Sequence, residues 1–287
     1  MAPSNTLPLL VAALAAASFI GMDSVIKLLA ARYDTLQLSF FRFAGGIVFA
    51  VPLWLWHRTP LPSPTAWRLH FVRAVLLLCS LVGYFHALTQ LPLALAVTIS
   101  YLAPIFVAVL SVPLLKEKPS SGVWLALLAG LGGVSISVWP ELAAGLAGLS
   151  TARLMGMASA AAAALSFAGV LLMARHMAQR DSLWTILLIQ SLLPMLLLAA
   201  PAAITWKPVP ASDLGLIVLA GGLGTLGLLG ITWSFTRLEA SRVAPMEYTS
   251  FVWAALLGYL LFGEVPTGTT AASAALIIGG CLLLLRR

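Results

Sequence analysis

The chain has 287 residues, of which 61% are hydrophobic and only 9% are charged, and its mean hydropathy is +1.03. Soluble domains average about 25% charged residues, so no aqueous fold could cover this much apolar surface. The composition therefore predicts an integral membrane protein. The net charge of +7 then indicates membrane topology rather than nucleic-acid binding, because surplus Lys and Arg set the orientation of membrane helices.

Ten apolar stretches approach the roughly 20 residues that a helix needs to cross a bilayer. In the first half they cover residues 7–29, 36–56, 71–90, 93–115 and 121–139; in the second half they cover 154–175, 183–206, 213–235, 243–262 and 268–285. The first stretch is long enough to span and has no basic residue before Lys27, so we expect a retained helix rather than a cleaved signal peptide.

The two halves are related by an internal repeat. Residues 87–118 recur without a gap at residues 234–265, displaced by 147 positions, so that Tyr101 superposes on Tyr248 and Glu117 on Glu264. Each half holds an odd number of spans, so the second copy is inverted in the bilayer, as in many secondary transporters. The predicted fold is an all-α integral membrane protein of ten transmembrane helices, built as two inverted five-helix repeats. Residues 1–147 and 148–287 are the repeats, and together they form one transport domain.

The basic residues predict the orientation of the chain in the membrane. With the N-terminus in the cytoplasm, the inner loops carry eleven Lys and Arg residues and the outer loops carry four, which is the expected bias. Residues 116–118 are Lys-Glu-Lys, whereas their copy at 263–265 is Gly-Glu-Val. An inverted copy should lose its positive charges in this way. We therefore expect a multi-pass protein of the cell inner (plasma) membrane with both termini cytoplasmic.

Three sequence segments resemble a known transporter family. Residues 87–96 (ALTQLPLALA), 100–104 (SYLAP) and 114–117 (LLKE) resemble the EamA family of the drug/metabolite transporter superfamily. Phe41-Arg42-Phe43 and the glycine cluster at 130–133 are also similar to that family. The resemblance implies a transporter rather than an enzyme. It further implies cargoes such as amino acids and their derivatives, nucleotide-like metabolites, vitamins or drugs, often carried outward.

Charged residues inside the predicted spans are candidates for binding or coupling, since burying a charge in a bilayer costs at least about 2.5–3.5 kcal/mol. Asp23 and Lys27 lie four residues apart on one face of span 1, and Arg42 lies near the outer end of span 2. These groups could form an ion-pair cluster that fastens the two spans. Alternatively, Asp23 or Arg42 could line the outer vestibule and meet the charge of a substrate.

Glu247 lies four residues into span 9, nearer the cytoplasmic side. A carboxyl group in that position could take up and release a proton during the transport cycle. The alternative is a structural pairing with Arg237 or Arg242 at the start of the helix, where a negative charge is also favoured by the helix dipole.

Aromatic and polar residues close to the repeat-related ends of spans 3, 4, 8 and 9, with one in span 7, are candidates for a substrate cavity. They are His86, Tyr84, Tyr101, Ser100, Gln190, Trp233, Tyr248 and Trp253. Such rings can supply apolar area and cation–π contacts, although ordinary helix packing explains them equally well. Pro104 and Pro194 are hinge candidates. Phe251 occupies the position that matches Pro104, so a hinge in span 4 need not be mirrored in span 9.

The sequence lacks the signatures of several other functions. No Lys precedes Ser or Thr, which rules out a Walker A loop, and no Cys/His cluster predicts a metal or cofactor. We therefore predict secondary transport by alternating access, with export of amino acids or related zwitterions favoured. A multidrug or cationic transporter, or a carrier of nucleotide-like metabolites, remains open; an intramembrane enzyme or a passive channel is a further alternative. The expected partners are a small-molecule substrate and the lipid bilayer, without nucleic acid, and the protein is a monomer or a homodimer.

Overall fold

The structure is a computed structural model, and it describes residues 6–91, 96, 99–146, 150–263, 265 and 268–285. That part of the chain is helical, without strands. The elements are α1 Thr6–Leu29, α2 Thr35–His57, α3 Pro64–Gln90, α4 Ala103–Leu115, α5 Ser121–Leu146, α6 Thr151–Ala178, α7 Leu183–Ile204, α8 Ala211–Phe235, α9 Ala240–Val243, a 3₁₀ helix Ala244–Tyr248, α10 Thr249–Phe262 and α11 Gly268–Leu285.

Among the described residues, α1, α2, α3, α6, α7 and α8 are long and apolar enough to cross a membrane. Helices α4, α5 and α11 contribute shorter apolar stretches. The architecture is therefore that of a multi-pass membrane protein, while the total of ten spans stays a prediction. Glu264, the repeat copy of Glu117, lies outside the described residues, as do residues 92–95 and 97–98 of the repeated segment.

Helix α3 begins earlier than the predicted span 71–90. Ser63 caps it by accepting a hydrogen bond from Ala66 N at 3.3 Å, and Pro64 takes a first-turn position. Proline suits this position because its missing N–H would have no partner there. Arg73 consequently lies nine residues inside the helix rather than near its end. This shift matters for the cavity described below.

The helices pair in a way that mirrors the sequence repeat. Helix α3 packs along α6, and α1, the counterpart of α6, packs along α8, the counterpart of α3. Likewise α10 packs on α1 as α4 packs on α6. Two other major pairs, α2 with α7 and α5 with α11, join counterparts directly, and α2 also packs on α8 as its counterpart α7 packs on α3. This is the pairing that a two-fold relation between the halves produces.

Glycines permit the closest helix approaches. A Cβ atom on Gly45 of α2 would lie 2.6 Å from the carbonyl oxygen of Ile217, and one on Gly221 of α8 would overlap the backbone of Gly45. Between α5 and α11, a Cβ atom on Gly133 would lie 2.9 Å from the carbonyl oxygen of Ser273. Small residues let membrane helices approach in this way and gain van der Waals contact.

Spans 4 and 9 are both interrupted at equivalent positions. Helix α4 starts at Ala103 after a turn at Tyr101-Leu102, and span 9 passes from α9 through the 3₁₀ helix before α10 begins. Each interruption lies beside a proline, Pro104 or Pro245, which cannot donate a main-chain hydrogen bond. Pro245 therefore lies beside the interruption of span 9 as Pro104 lies beside that of span 4, although Phe251 occupies the position that matches Pro104. That either interruption acts as a hinge stays a prediction.

Candidate functional site

A cavity of about 440 Å³ lies between the two halves of the molecule. Helices α1 to α4 line it from the first half, and α6, α7, α8 and the broken span 9 line it from the second half. The volume falls within the range of small-molecule sites, about 300–1,000 Å³. The position between two inverted repeats is where secondary transporters place their substrate.

Eight of the residues proposed from sequence line this cavity. They are Asp23, Arg42, Tyr84, Ser100, Tyr101, Pro104, Gln190 and Glu247. Aromatic side chains of Phe19, Phe43 and Phe167 supply much of the apolar wall. The site thus combines charged, polar and aromatic groups in one enclosed space.

His86 and Trp233 lie outside the cavity lining. The Nδ1 atom of His86 is 2.9 Å from the Ser159 hydroxyl, so this exposed side chain links α3 to α6. The Trp233 ring lies 3.6 Å beneath the Arg237 guanidinium at the end of α8. Both therefore act at helix ends rather than in the cavity.

Trp253 and Pro194 also lie outside the cavity lining. The indole nitrogen of Trp253 donates to the carbonyl oxygen of Ala13 at 3.0 Å and so joins α10 to α1. Pro194 is buried on α7, where it lines a separate pocket of about 10 Å³ together with His70. Pro194 therefore contributes to the packing of α7 against α3.

Tyr248 is fully buried, 0% exposed, and packs against its repeat counterpart instead of facing the cavity. The Tyr101 and Tyr248 rings stack with centroids 5.6 Å apart, and the Tyr248 hydroxyl donates to the carbonyl oxygen of Tyr101 at 2.9 Å. A methyl group on Gly130 would overlap the Tyr248 ring. The two helix interruptions are thus joined to each other where the repeats meet.

We expect Tyr248→Phe to lower the thermal stability of the purified protein. The Tyr101 carbonyl, freed by the turn at 101–102, would lose its donor, at a cost of about 1–3 kcal/mol. The matched control is Tyr259→Phe, since Tyr259 is 52% exposed on α10. Thermal unfolding in detergent measures the difference, and equal midpoints for the two variants would contradict the role of this hydrogen bond.

The charges in the cavity are not all matched. Asp23 and Arg42 interact electrostatically with each other, and the Arg42 guanidinium also lies 5.5 Å from the centre of the Phe43 ring. Glu247 differs, because no Lys or Arg of the described residues interacts electrostatically with its carboxylate or lies within ion-pair distance of it. The pairing of Glu247 with Arg237 or Arg242, left open from the sequence, is accordingly not found in that part of the chain.

Arg73 is a cavity residue that the sequence interpretation missed. Its side chain is 4% exposed and lines the cavity from α3. Arg73 is one of the eleven basic residues assigned above to the inner loops, because it lies only two residues after the predicted start of span 3 at residue 71. The Ser63-Pro64 pair is the signal that could have found it, since Ser followed by Pro often marks a helix start.

A polar network joins the end of α4 to α6, α8 and α9 at the end of the bundle that is predicted to be cytoplasmic. Glu117 accepts hydrogen bonds from the main-chain nitrogens of Ala240 and Ser241 at 2.8 and 3.0 Å, and it lies 3.7 Å from Arg175 Nε. Arg175 also donates to the carbonyl oxygen of Phe235. Phe235 lies one turn beyond Ile231, a residue that lines the cavity on α8.

At the opposite end of the bundle, a second polar cluster joins the C-terminal end of α1 to the N-terminal ends of α2 and α8. Asp213 is buried at the start of α8, pairs with Arg32 and accepts from the Tyr33 hydroxyl at 2.6 Å. That hydrogen bond raises the pKa of Tyr33, because deprotonation would place two negative charges side by side. Gln37 exchanges two hydrogen bonds with the main chain of Lys207. The cluster ties the two halves together at this end.

An all-helical, multi-pass protein with two related halves around a charged central cavity belongs to the class of two-repeat membrane transporters. The model of the EamA-like transporter family matches residues 6–139 and again 154–286, and the chain belongs to this family. It is therefore a membrane transporter of a small metabolite and not an enzyme.

Characterised relatives extend over almost the whole chain. A protein of Pseudomonas aeruginosa named pseudopaline exporter CntI is 30% identical over 280 residues, which cover 96% of this chain and 95% of that one. A protein of Rickettsia bellii named S-adenosylmethionine uptake transporter is 24% identical over 263 residues, covering 92% and 88%. A crystal structure at 24% identity has a TM-score of 0.77 and covers 98% of this chain and 96% of that chain, which supports the fold.

Proposed function

We propose that this protein carries a small zwitterionic metabolite, an amino acid or a related compound, across the inner membrane by alternating access. The carrying observation concerns the four charged side chains that line the cavity, none of which has an opposite charge at ion-pair distance among the described residues. Asp23 and Arg42 still interact electrostatically with each other, whereas no opposite charge balances Glu247 or Arg73. A zwitterion would neutralise both at once. It would also bring no net charge into the apolar part of the membrane, which keeps the cost of translocation low.

Export is the direction that this chemistry favours. A single carboxylate such as Glu247 can bind a proton or the ammonium group of a cargo, but not both together. Such competition couples cargo leaving the cell to protons entering it. The relatives named above are one exporter and one uptake transporter, so the proposal of export rests on the cavity rather than on their names.

A cationic or aromatic drug is the second candidate cargo. The unpaired Glu247 and the rings of Phe19, Phe43 and Tyr101 would suit an aromatic cation. Arg73 argues against it, since a second cation in the same enclosed cavity would repel such a cargo. The two candidates therefore differ in whether the cargo must carry a negative group.

Counterflow in proteoliposomes tests the proposal. Purified protein is reconstituted and loaded with unlabelled compound, and uptake of the labelled form is followed for L-methionine, S-adenosylmethionine, a nucleoside and a quaternary amine. We expect saturable counterflow of L-methionine, or of S-adenosylmethionine, which carries the same zwitterionic amino-acid group together with a cationic sulfonium, and none of the nucleoside. Counterflow of the quaternary amine alone would replace the zwitterion proposal with that of a cationic drug cargo. Flux without counterflow would indicate a channel.

A further inference from the structure

We propose that Arg73, with Gln190 beside it, is the subsite that binds the carboxylate of the cargo. The inference rests on the proposed function and goes further, because it assigns one end of the zwitterion to one side chain. It also names a residue that neither the sequence motifs nor the family resemblance singles out.

The hydrogen bonding of Arg73 leaves its guanidinium only partly satisfied. Its Nε atom donates to the main-chain oxygen of Val170 on α6 at 3.2 Å. Its Nη1 atom is buried and has no hydrogen-bond partner. The bond to Val170 holds the planar group in place from one edge, while Nη1 is left without a partner from the protein. A buried donor without a partner is costly, at about 1–3 kcal/mol, so the arrangement fits a group that is completed by its ligand.

No acidic side chain of the described residues lies within ion-pair distance of Arg73. The nearest titratable neighbour on the same helix is His70, whose Nε2 atom lies 3.3 Å from Asp181 Oδ2. The other guanidinium in the cavity, Arg42, has no ion pair at ion-pair distance either, but it interacts electrostatically with Asp23. Arg73 is therefore the cavity cation with the greatest unmet demand for an anion.

Gln190 completes the subsite from α7. It lines the central cavity together with Arg73, and both residues also line the small pocket of about 10 Å³ next to His70. The side-chain oxygen of Gln190 has no hydrogen-bond partner, and the same holds for the Thr225 hydroxyl in the cavity wall. A fork of guanidinium donors binds a carboxylate with two parallel hydrogen bonds.

The assignment separates the two ends of the cargo. Arg73 lies on α3 in the first half, whereas Glu247 lies in the broken span of the second half. A zwitterion bound to both therefore bridges the two repeats. Only a cargo with both charges would make this bridge, so Arg73 would select for the carboxylate and Glu247 for the cationic end.

The test compares each zwitterion with a matched compound that lacks the carboxylate charge. Counterflow of labelled L-methionine and of labelled S-adenosylmethionine is measured in the wild type and in Arg73→Gln. Unlabelled L-methioninamide and decarboxylated S-adenosylmethionine serve as competitors. In the wild type we expect these competitors to be weaker than the parent zwitterions by roughly 10- to 100-fold, the range for a charge-assisted hydrogen-bonded pair. In Arg73→Gln that preference should fall to within about threefold.

Two further variants control for folding and geometry. Arg73→Lys keeps the charge but loses the fork, and it should recover part of the preference. Arg68→Gln makes the same change at an exposed position on the same helix, and it should behave as the wild type. Each variant is checked for a monodisperse profile and for its thermal unfolding midpoint, so that a misfolded Arg73→Gln is recognised and the comparison then rests on Arg73→Lys.

The outcomes separate this inference from the proposed function. Absence of counterflow of both zwitterions in the wild type would overturn the proposed function, and the carboxylate subsite with it. Counterflow in the wild type with the same preference in Arg73→Gln as in Arg68→Gln would overturn the subsite alone. Loss of the preference in Arg73→Gln with partial recovery in Arg73→Lys is the expected result.

Discussion

Replacing Glu247 with Gln is expected to abolish the response of transport to a pH gradient. The glutamine has the shape of the protonated acid but can neither bind nor release a proton. The amide oxygen of the glutamine can still accept a hydrogen bond from the ammonium group of the cargo, so exchange of cargo for cargo should persist in the variant with a weaker apparent affinity. Net transport should no longer accelerate when a gradient is imposed, whereas we expect the wild type to accelerate by about tenfold, the effect of roughly 1.4 kcal/mol of driving force.

The measurement follows efflux of loaded cargo from proteoliposomes with and without an inward proton gradient. Glu239→Gln is the matched control, because Glu239 precedes α9 in the same span and does not line the cavity. Efflux should respond to the gradient in this control as it does in the wild type. A Glu247→Gln variant that keeps the full pH response would remove Glu247 from the coupling mechanism and leave it as a packing or binding group.

Replacing Gly221 with Ala is expected to give the largest loss of stability. The added methyl group would overlap the Gly45 backbone, and two helix backbones cannot move aside as a flexible side chain can. Overpacking of this kind costs typically 1–3 kcal/mol and sometimes more. We expect about 3 kcal/mol, which lowers the unfolding midpoint by roughly 6–12 °C.

Gly215→Ala on the same helix is the control for this variant. A Cβ atom at Gly215 would meet no atom within 4 Å, and alanine favours helix over glycine by about 1 kcal/mol. The control should therefore be as stable as the wild type or slightly more stable. Equal midpoints for Gly221→Ala and Gly215→Ala would show that the α2–α8 contact is looser than the structure indicates.

Contact between repeat counterparts was only partly foreseeable. The 147-residue displacement pairs Tyr101 with Tyr248 in sequence, but it does not say that the two residues touch. They touch because the interrupted spans 4 and 9 lie against each other at the two-fold axis that relates the repeats. Tyr248 consequently packs in the core, although its position close to a repeat-related span end suggested a cavity residue.

The charged residues of the cavity likewise divide into those that the sequence reveals and one that only the structure reveals. Asp23, Arg42 and Glu247 stand out in the sequence because each is a charge inside an apolar stretch. Arg73 lies at the edge of such a stretch, where basic residues normally mark a loop. Only the helix start at Pro64 and the packing of α3 against α6 and α7 place it inside the cavity.

The sequence by itself determined the class of this protein, its division into two repeats and most of the charged residues of the cavity. These features follow from hydropathy, from the odd number of apolar stretches per half and from the cost of burying a charge in a bilayer, all of which are local properties of the chain. Tertiary structure alone decided which side chains face the cavity and which charges find partners. Those outcomes depend on the rotation of each helix about its axis and on distances between residues far apart in the chain, and no local pattern encodes them.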